Sequence, residues 1–246
     1  MSSAPKSVLT AVDFGDASAR AIALGGVIAQ RCGAATLRLL HAETVDAPAY
    51  FTTSQIDALE HQRRNMRAQA EQFLQAFGKR HTPRPFSALV DDRPPVEAVL
   101  QESAGADLVV MGTHGRHGPK RWWLGSVAER VLRDVTRPLL IVRAEAAGPP
   151  ASLFDRVLVH AAAPLAGVST LAYARDLAAC FSDGQIVDGR HQPIEPALIR
   201  THATLLVVAA PQPRTSAWLS DYGEPLVRFC TVPILFVPEI TKGASS

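Results

Sequence analysis

Short apolar segments of strand length alternate with amphipathic helical segments along this 246-residue chain. Residues 8–13 and 108–111 are typical of buried strands, whereas residues 56–77 carry apolar side chains at helical spacing. The helical pattern predicts a long helix that ends at Gly78. Strands that alternate with helices favour a parallel sheet with helices on both faces. The sequence therefore predicts an α/β fold of the doubly wound, Rossmann-like type.

The alternation restarts after a linker rich in glycine and proline at residues 144–151. Beyond this linker, segment 156–159 resembles segment 7–10, and segment 231–237 resembles segment 136–142. An internal repeat of this kind predicts two copies of one structural unit in tandem.

The second copy is shorter than the first. Asp13 and Gly112 are 99 positions apart, whereas the matching Ala162 and Ala210 are 48 positions apart. The alignment places the loss over the second strand and the long helix, so we expect a truncated second unit of four strands. An incomplete sheet would be exposed if left alone, and we expect this unit to pack on the first. The two units are expected at residues 1–146 and 152–240.

A glycine-rich segment follows the strand at residues 108–111. Gly112 and Gly115 are three positions apart, and nine residues later Gly125 and Ser126 open a helix. Glycine lets backbone N–H groups approach a ligand that a Cβ atom would hold away. We expect Ser126 to cap the helix, with a glutamate three positions on completing a capping box. The free amides and the dipole of such a helix start attract anions, of which phosphate is the commonest in biology.

Asp13 ends the first strand, so it is expected on the same rim of the sheet, where doubly wound folds bind ligands. Its carboxylate can accept hydrogen bonds from a ribose or from an adenine amino group. The alternative interpretation is that the glycines are ordinary turn residues. Three glycines and a serine at this spacing behind a buried strand favour phosphate or nucleotide binding.

The spacing of Gly112, Gly115, Gly125 and Ser126 resembles the glycine motif of the universal stress protein family, in which the last position is Ser or Thr. The opening strand at residues 10–14 also resembles that family. The resemblance covers the first half fully and the second half weakly, which is typical of the tandem type. It implies the sheet order 3-2-1-4-5 in each unit, and fifth strands that meet at a dimer interface.

The same resemblance implies that the first unit binds ATP, with or without Mg²⁺. Asp13 would contact the nucleoside. The residues implied for adenine are Ala11, Val12 and Ala42, and those implied for the ribose and phosphates are Met111, Gly112, Gly115, Gly125, Ser126 and Val127.

The second half departs from this motif throughout. The replacements are Ala162 for Asp13, Ala210 for Gly112, Pro213 for Gly115, and Ser220 and Asp221 for Gly125 and Ser126. Pro213 removes an amide donor. Asp221 can still cap the helix together with Glu224, but its carboxylate offsets the helix dipole and repels phosphate. We therefore expect no nucleotide in the second unit, which would keep a structural role.

The bulk properties exclude several other classes of protein. A net charge of +2 is too small to indicate a nucleic-acid partner, and no apolar run reaches the length of a membrane span. The three cysteines are far apart and match no disulfide framework or metal site. Cys32 and Cys180 lie at similar helix ends, which favours small buried residues over redox chemistry. With no signal-peptide pattern at the start, we expect a cytoplasmic protein.

Motifs of catalysis are missing from the sequence. There is no nucleophile elbow, no lysine after the glycines as in a P-loop, and no identifiable Mg²⁺-binding carboxylate of a phosphoryl-transfer enzyme. We expect a stress-response regulatory module without catalytic or metal-binding residues, in which ATP tunes contacts with other proteins. The two units would form an intramolecular pseudo-dimer, and association of two chains is left open. The alternatives are a scaffold that binds no nucleotide and, more remotely, a slow ATPase.

Overall fold

A computed structural model describes residues 4–44, 53–113, 124–145, 148–162, 165, 167–181 and 184–240. The first half alternates strands and helices in the order that the apolar pattern predicts. Its elements are β1 Ser7–Ala11, α1 Asp16–Arg31, β2 Thr36–Ala42, α2 Thr53–His81, β3 Ser87–Asp91, α3 Pro95–Ser103, β4 Leu108–Gly112, α4 Ser126–Asp134 and β5 Leu139–Val142.

The second half repeats this order with fewer elements, after a 3₁₀ turn at Pro150–Ser152. A π-helical turn at Leu219–Gly223 joins its last two helices. Its elements are β6 Arg156–His160, α5 Val168–Ala178, β7 Gln185–Asp188, α6 Ile194–Thr201, β8 Leu205–Gln212, α7 Ser216–Trp218, α8 Glu224–Phe229 and β9 Ile234–Ile240. Within the described ranges, no helix is long and apolar enough to cross a membrane.

The strands of both halves form one continuous sheet. In the described part of the chain its order is β3-β2-β1-β4-β5-β9-β8-β6-β7. The first five strands confirm the predicted order 3-2-1-4-5, and all their pairings are parallel. β5 and β9 pair antiparallel at the centre of the sheet. The predicted tandem α/β fold, with a shortened second unit, is confirmed.

The central pairing relates the two units by a local two-fold axis. Leu140 lies opposite Leu235, its own counterpart in the repeat, and Leu139 and Ile141 lie opposite Phe236 and Ile234. Each side of this interface thus presents the same positions to the other, as in an isologous dimer. The hydrophobic cores continue across it, since Leu140 and Leu235 belong to one buried cluster and the other four residues to the cluster on the opposite face.

In the described part of the second half, the equivalents of one strand and of α2 are missing, as the alignment predicts. β7 pairs with β6 as β2 pairs with β1. The end of β7, however, resembles the end of β3. In each strand the last aspartate accepts hydrogen bonds from the backbone N–H and the guanidinium of the arginine two positions later. The pairs are Asp91 with Arg93 and Asp188 with Arg190. The sequence of a third strand therefore occupies the place of a second strand.

The expectation that α2 ends at Gly78 is wrong, because the helix continues to His81. Gly78 is required by packing rather than by a turn. A Cβ atom there would lie 2.4 Å from Phe86 Cζ and 2.6 Å from Leu39 Cδ1. The glycine lets the helix lie close against the sheet.

Two arginines hold the units together at helix ends. Arg214, which follows β8, donates from Nη1 to the carbonyls of Leu132 at 2.6 Å and Val135 at 2.7 Å, at the end of α4 in the other unit. Arg143, which follows β5, donates in return to carbonyls at the end of α8, including that of Arg228 at 3.1 Å. The last carbonyls of a helix have no partner within it, so each unit caps a helix of the other.

Arg214 is the more buried of the two, with 6% of its surface exposed. Burial lowers the pKa of its guanidinium to about 10, against a smaller opposing effect of Asp134. The group stays charged at neutral pH, and its hydrogen bonds are the stronger because the donor is charged.

Replacing Arg214 by alanine should destabilise the whole fold. Hydrogen bonds from charged donors contribute about 1.5–3 kcal/mol each, partly offset by the cost of burying the charge, so we expect the free energy of unfolding to fall by about 2–3 kcal/mol. Urea unfolding followed by circular dichroism measures the change.

Arg137 provides the matched control. It is exposed and donates from Nη2 to the carbonyl of Ala104 at 2.8 Å, at the end of α3. Arg137→Ala should change the free energy of unfolding by less than about 0.5 kcal/mol. Equal losses in the two variants would contradict a special role of Arg214.

Candidate functional site

A cleft of about 1110 Å³ lies at the carboxyl ends of β1, β2 and β4 and beside the start of α4. This is the edge of a doubly wound sheet at which ligands bind. Nine of the ten residues that the sequence proposes for the site line this cleft: Ala11, Val12, Asp13, Ala42, Met111, Gly112, Gly125, Ser126 and Val127. The tenth, Gly115, lies outside the described residues.

Asp13 is held in place by the start of α1. Its Oδ1 accepts two hydrogen bonds. One comes from the hydroxyl of Ser18, and the other comes from the backbone N–H of Gly15 at 2.9 Å. The Ser18 hydroxyl in turn accepts from the N–H of Asp13 at 3.0 Å. A carboxylate has about four acceptor positions, so these contacts fix the orientation of Asp13 and leave it able to accept from a ligand.

Gly112 is required by packing. A Cβ atom there would lie 2.7 Å from the Cβ of Ala17 and 3.2 Å from the backbone nitrogen of Ser18, in the first turn of α1. The close approach of β4 to α1 therefore excludes any side chain at this position. The sequence suggests that Gly112 is a glycine so that a ligand can approach the backbone. These contacts give a different reason, the close packing of β4 on α1.

The start of α4 differs from the predicted capping box. Gly125, rather than Ser126, is the N-cap, and as a glycine it has no side chain to cap the helix. The N–H of Gly125 donates to the carbonyl of Thr113 at 2.8 Å, which ties the helix start to the end of β4. The first N–H groups of a helix have no partner within it. With Gly125, Ser126 and Val127 lining the cleft, this polar helix end borders the open volume.

Aromatic side chains that the sequence reasoning missed line the side of the cleft toward α2. The ring of Phe14 lies 4.4 Å from that of His41 and 4.7 Å from that of Phe73, and Phe73 is 46% exposed. His41 donates from Nδ1 to the carbonyl of Val12 at 2.8 Å. The φ of Phe14 is 63°, a left-handed value that bulky residues rarely adopt and that no sequence pattern announces.

In the second unit, aromatic side chains fill the corresponding space. His160 stands at the repeat position of Ala11, and Tyr222 at that of Val127. Their rings lie 6.0 Å apart, and Tyr222 also packs 5.7 Å from Trp218. Burial, the largest influence, and the charge of His191 lower the pKa of His160, which favours its neutral form. Large rings therefore replace the small residues that leave the first cleft open.

The carboxylate at the start of the first helix is also replaced. Glu239 on β9 is 6% exposed and accepts hydrogen bonds from the N–H groups of Gly167 at 3.1 Å and Thr170 at 3.0 Å and from the hydroxyl of Ser169 at 2.9 Å. These donors belong to the start of α5, the counterpart of α1. Glu239 thus satisfies from inside the sheet the helix end that Asp13 contacts from the rim in the first unit.

The strand register corrects one detail of the predicted alignment. β8 continues beside β9 as far as Gln212, and the pairings place Ala209, rather than Ala210, at the position of Gly112. Both are alanines, so the loss of the glycine stands. The expected cap by Asp221 is wrong, because the helical segment begins earlier, where the hydroxyl of Thr215 accepts from the N–H of Trp218 at 3.1 Å.

The sequence model of the Universal stress protein family matches residues 5–143, more than half of the chain. The chain belongs to the universal stress protein family.

Relatives match part of the chain. A universal stress protein of Thermus aquaticus is 33% identical over 140 residues, which cover 56% of this chain and 98% of that protein. One from Mycolicibacterium smegmatis is 34% identical over 84 residues, 34% of this chain and 29% of that protein.

Solved structures match the whole chain. A universal stress protein from Archaeoglobus fulgidus has a TM-score of 0.63 at 19% identity and covers 95% of this chain and 96% of its own. A protein of unknown function from Pseudomonas aeruginosa has a TM-score of 0.58 at 12% identity and covers 96% and 93%. At these identities the likeness shows the fold, here the tandem fold of both units.

Two further features of this universal stress protein concern ions. Among the described residues, no group of three or more His, Cys, Asp or Glu side chains could hold a metal ion. Beside the main cleft, Arg63, Arg64 and Arg67 line a smaller hollow of about 350 Å³, in which Arg63 pairs with Asp92. Carboxylates also line the hollow, so its charge is mixed.

The stability of the second unit should depend on pH through Glu239. Burial raises the pKa of its carboxyl, but the hydrogen bonds from Thr170, Ser169 and Gly167 outweigh burial and hold the pKa below its ordinary 4.5. The contribution to stability is therefore complete above about pH 4.5 and is lost as the pH falls below that value.

Glu239→Gln removes this titration and weakens the acceptor. The free energy of unfolding should be lower than in the parent protein by about 2 kcal/mol near pH 7, and the difference should shrink below about pH 4.5. Urea unfolding at a series of pH values measures it. Glu195→Gln, which changes an exposed carboxylate in the first turn of α6, is the control and should show a small difference at every pH. A Glu239 difference that does not vary with pH would contradict this account.

Proposed function

We propose that the first unit of this protein binds ATP and that its occupancy regulates contacts with other proteins in a stress response. The observation that carries the proposal is the convergence of nine separately proposed residues on one cleft of about 1110 Å³, at the ligand-binding edge of the sheet. The volume is ample for a nucleotide.

The nucleoside is assigned to the ends of β1 and β2. Ala11, Val12 and Ala42 border the cleft with small side chains and backbone, which leaves space for a flat base. The rings of Phe14 and Phe73 bound the same region with apolar surface. Asp13, oriented by Ser18 and Gly15, is assigned to hydrogen bonds from the ribose hydroxyls or the base.

The phosphates are assigned to the start of α4. Gly125, Ser126 and Val127 present the first N–H groups of the helix beside the cleft, and the helix dipole adds positive potential there. Because the N-cap residue is a glycine, no N-cap side chain competes with a phosphate oxygen for these donors. Mg²⁺ would accompany the phosphates rather than bind the protein first.

The second unit is proposed to bind no nucleotide. His160 and Tyr222 fill the space of the base, and Glu239 places a buried carboxylate at the neighbouring helix start. We therefore expect calorimetric titration to give one ATP per chain. The second unit would serve as a fixed structural partner of the first.

The first unit is proposed to bind ATP without hydrolysing it at an enzymatic rate. Asp13 is engaged by Ser18 and Gly15, and Glu129 in the cleft pairs with Arg133 at 3.0 Å. Both carboxylates are thus already engaged by groups of the protein, which favours a role in binding over general-base catalysis. Phosphate release from bound ATP should be far below the roughly 1 s⁻¹ of slow ordinary enzymes. Sustained release at that rate would favour the ATPase alternative.

Asp13→Asn tests the nucleoside contact. The amide keeps the size of the side chain but has a single acceptor oxygen, so we expect the dissociation constant for ATP to rise about tenfold, equivalent to about 1.4 kcal/mol. Asp16→Asn removes an exposed carboxylate three positions away and should leave the dissociation constant unchanged. Titration of the parent protein without any heat of binding would reject the proposal in favour of the scaffold alternative.

Val127→Tyr tests the comparison between the units, because it places in the first cleft the residue found at the same repeat position of the second. The ring should occupy the ligand volume and raise the dissociation constant at least about tenfold. Ile199→Tyr adds the same ring at a residue that is 70% exposed and should have no effect. Circular dichroism spectra confirm that both variants are folded. Unaltered binding by Val127→Tyr would contradict the assigned site.

A further inference from the structure

Two cysteines from different units meet at the junction of the molecule. Cys32 is the C-cap of α1, and Cys180 follows the end of α5. Both are free thiols, and the Cys32 thiol forms a side-chain hydrogen bond with that of Cys180. The two residues are 148 positions apart in the sequence, so only the tertiary structure brings them together.

Cys32 and Cys180 are at similar helix ends, on the face of the sheet where α1 and α5 pack against a shared core cluster. The sequence shows that their positions are similar, and the tertiary structure adds the contact between them.

The surroundings suit a reaction at these sulfur atoms. Both cysteines are half-buried rather than enclosed, whereas the third cysteine, Cys230, is 4% exposed and belongs to the cluster on the opposite face. Tyr173 of α5 interacts electrostatically with both thiols. Its hydroxyl is buried and has no hydrogen-bond partner among the described residues, so it can donate to a small polar molecule beside them.

We propose that Cys32 and Cys180 form a disulfide on exposure to a peroxide, which joins the two units covalently. One sulfur attacks the O–O bond of hydrogen peroxide, becomes a sulfenic acid and releases one water. The second sulfur then attacks the sulfenic sulfur and displaces a second water. The two thiols lose two protons and two electrons in total, and the peroxide is reduced to two waters.

Position at helix ends makes the bond geometrically accessible. Disulfides tolerate a narrow range of distances and dihedral angles, so two thiols in a rigid interior are often unable to join. Here Cys32 is followed by Gly33, whose φ of 62° takes the chain out of the helix with open space around its Cα. A small shift of this turn can adjust the approach of the sulfur atoms.

The thiols are not primed for fast reaction. Burial, the largest influence, and the hydrogen bond that the Cys32 thiol donates to Cys180 raise the pKa of the Cys32 thiol, so the reactive thiolate is scarce at neutral pH. The disulfide is therefore expected under sustained peroxide and not in its absence. Once formed, it closes a long loop and restricts the unfolded chain, which stabilises the joined units.

The test uses the full chain, treated under native conditions with hydrogen peroxide in excess and then alkylated in denaturant without reductant. Intact mass should show the loss of two hydrogen atoms, with one cysteine alkylated. Tryptic digestion should link the peptides of residues 32–38 and 176–190, while the peptide of residues 229–242 carries the alkylated Cys230. Dithiothreitol should separate the linked peptides.

Variants keep the result unambiguous. Cys230→Ser should form the same linked pair, whereas Cys180→Ser and Cys32→Ser should not. Peroxide should raise the urea midpoint of unfolding in the parent protein and leave it unchanged in Cys32→Ser. Recovery of both peptides as alkylated thiols, oxygen addition to either without linkage, or a link through Cys230 would each overturn the proposal.

Discussion

The antiparallel pairing of β5 with β9 is the contact on which the rest of the structure depends. It sets Leu140 opposite its own counterpart, Leu235, and thereby fixes a two-fold relation between the units. The continuous sheet, the two shared core clusters and the exchange of helix caps by Arg143 and Arg214 all follow from that relation. A covalently linked second unit makes such an interface permanent, because the partner is never lost by dilution.

The two units show how an open cleft is converted into packed interior. In the shortened second unit, small residues at two rim positions become His160 and Tyr222, and the carboxylate at the helix start comes from Glu239 on β9 instead of the end of β1. In the first unit, Asp13 at the rim of the cleft contacts the start of α1. In the second unit, Glu239 contacts the start of α5 from inside the sheet. Buried polar groups are usually paired, and Glu239 supplies the partner for the N–H groups of Gly167 and Thr170 at the start of α5.

The sequence predicts most of the fold, and nine of the ten residues it proposes for the site line one cleft. Alternating apolar segments and the internal repeat are local signals, and they lead to the strand order and to the truncated second unit. Motif spacing brings together Asp13, Gly112 and Gly125 because consecutive βα loops of a parallel sheet end on the same edge. The failures concern contacts between distant segments. The N-cap role of Gly125, the packing of Gly112 on Ala17 and the contact of Cys32 with Cys180 depend on tertiary geometry that periodicity does not encode.

The filling of the second cleft has a consequence for how the molecule responds to concentration. A pair of identical units presents two equivalent clefts across its axis, and occupation of one can change the affinity of the other. Among the residues described here, the chain keeps the axis but leaves open the cleft of one unit. Such an arrangement removes homotropic cooperativity within the chain, so saturation by a ligand would follow a simple hyperbola. Ligand binding would then rise gradually with concentration rather than like a switch. The second unit would stabilise the first without making its binding curve steeper.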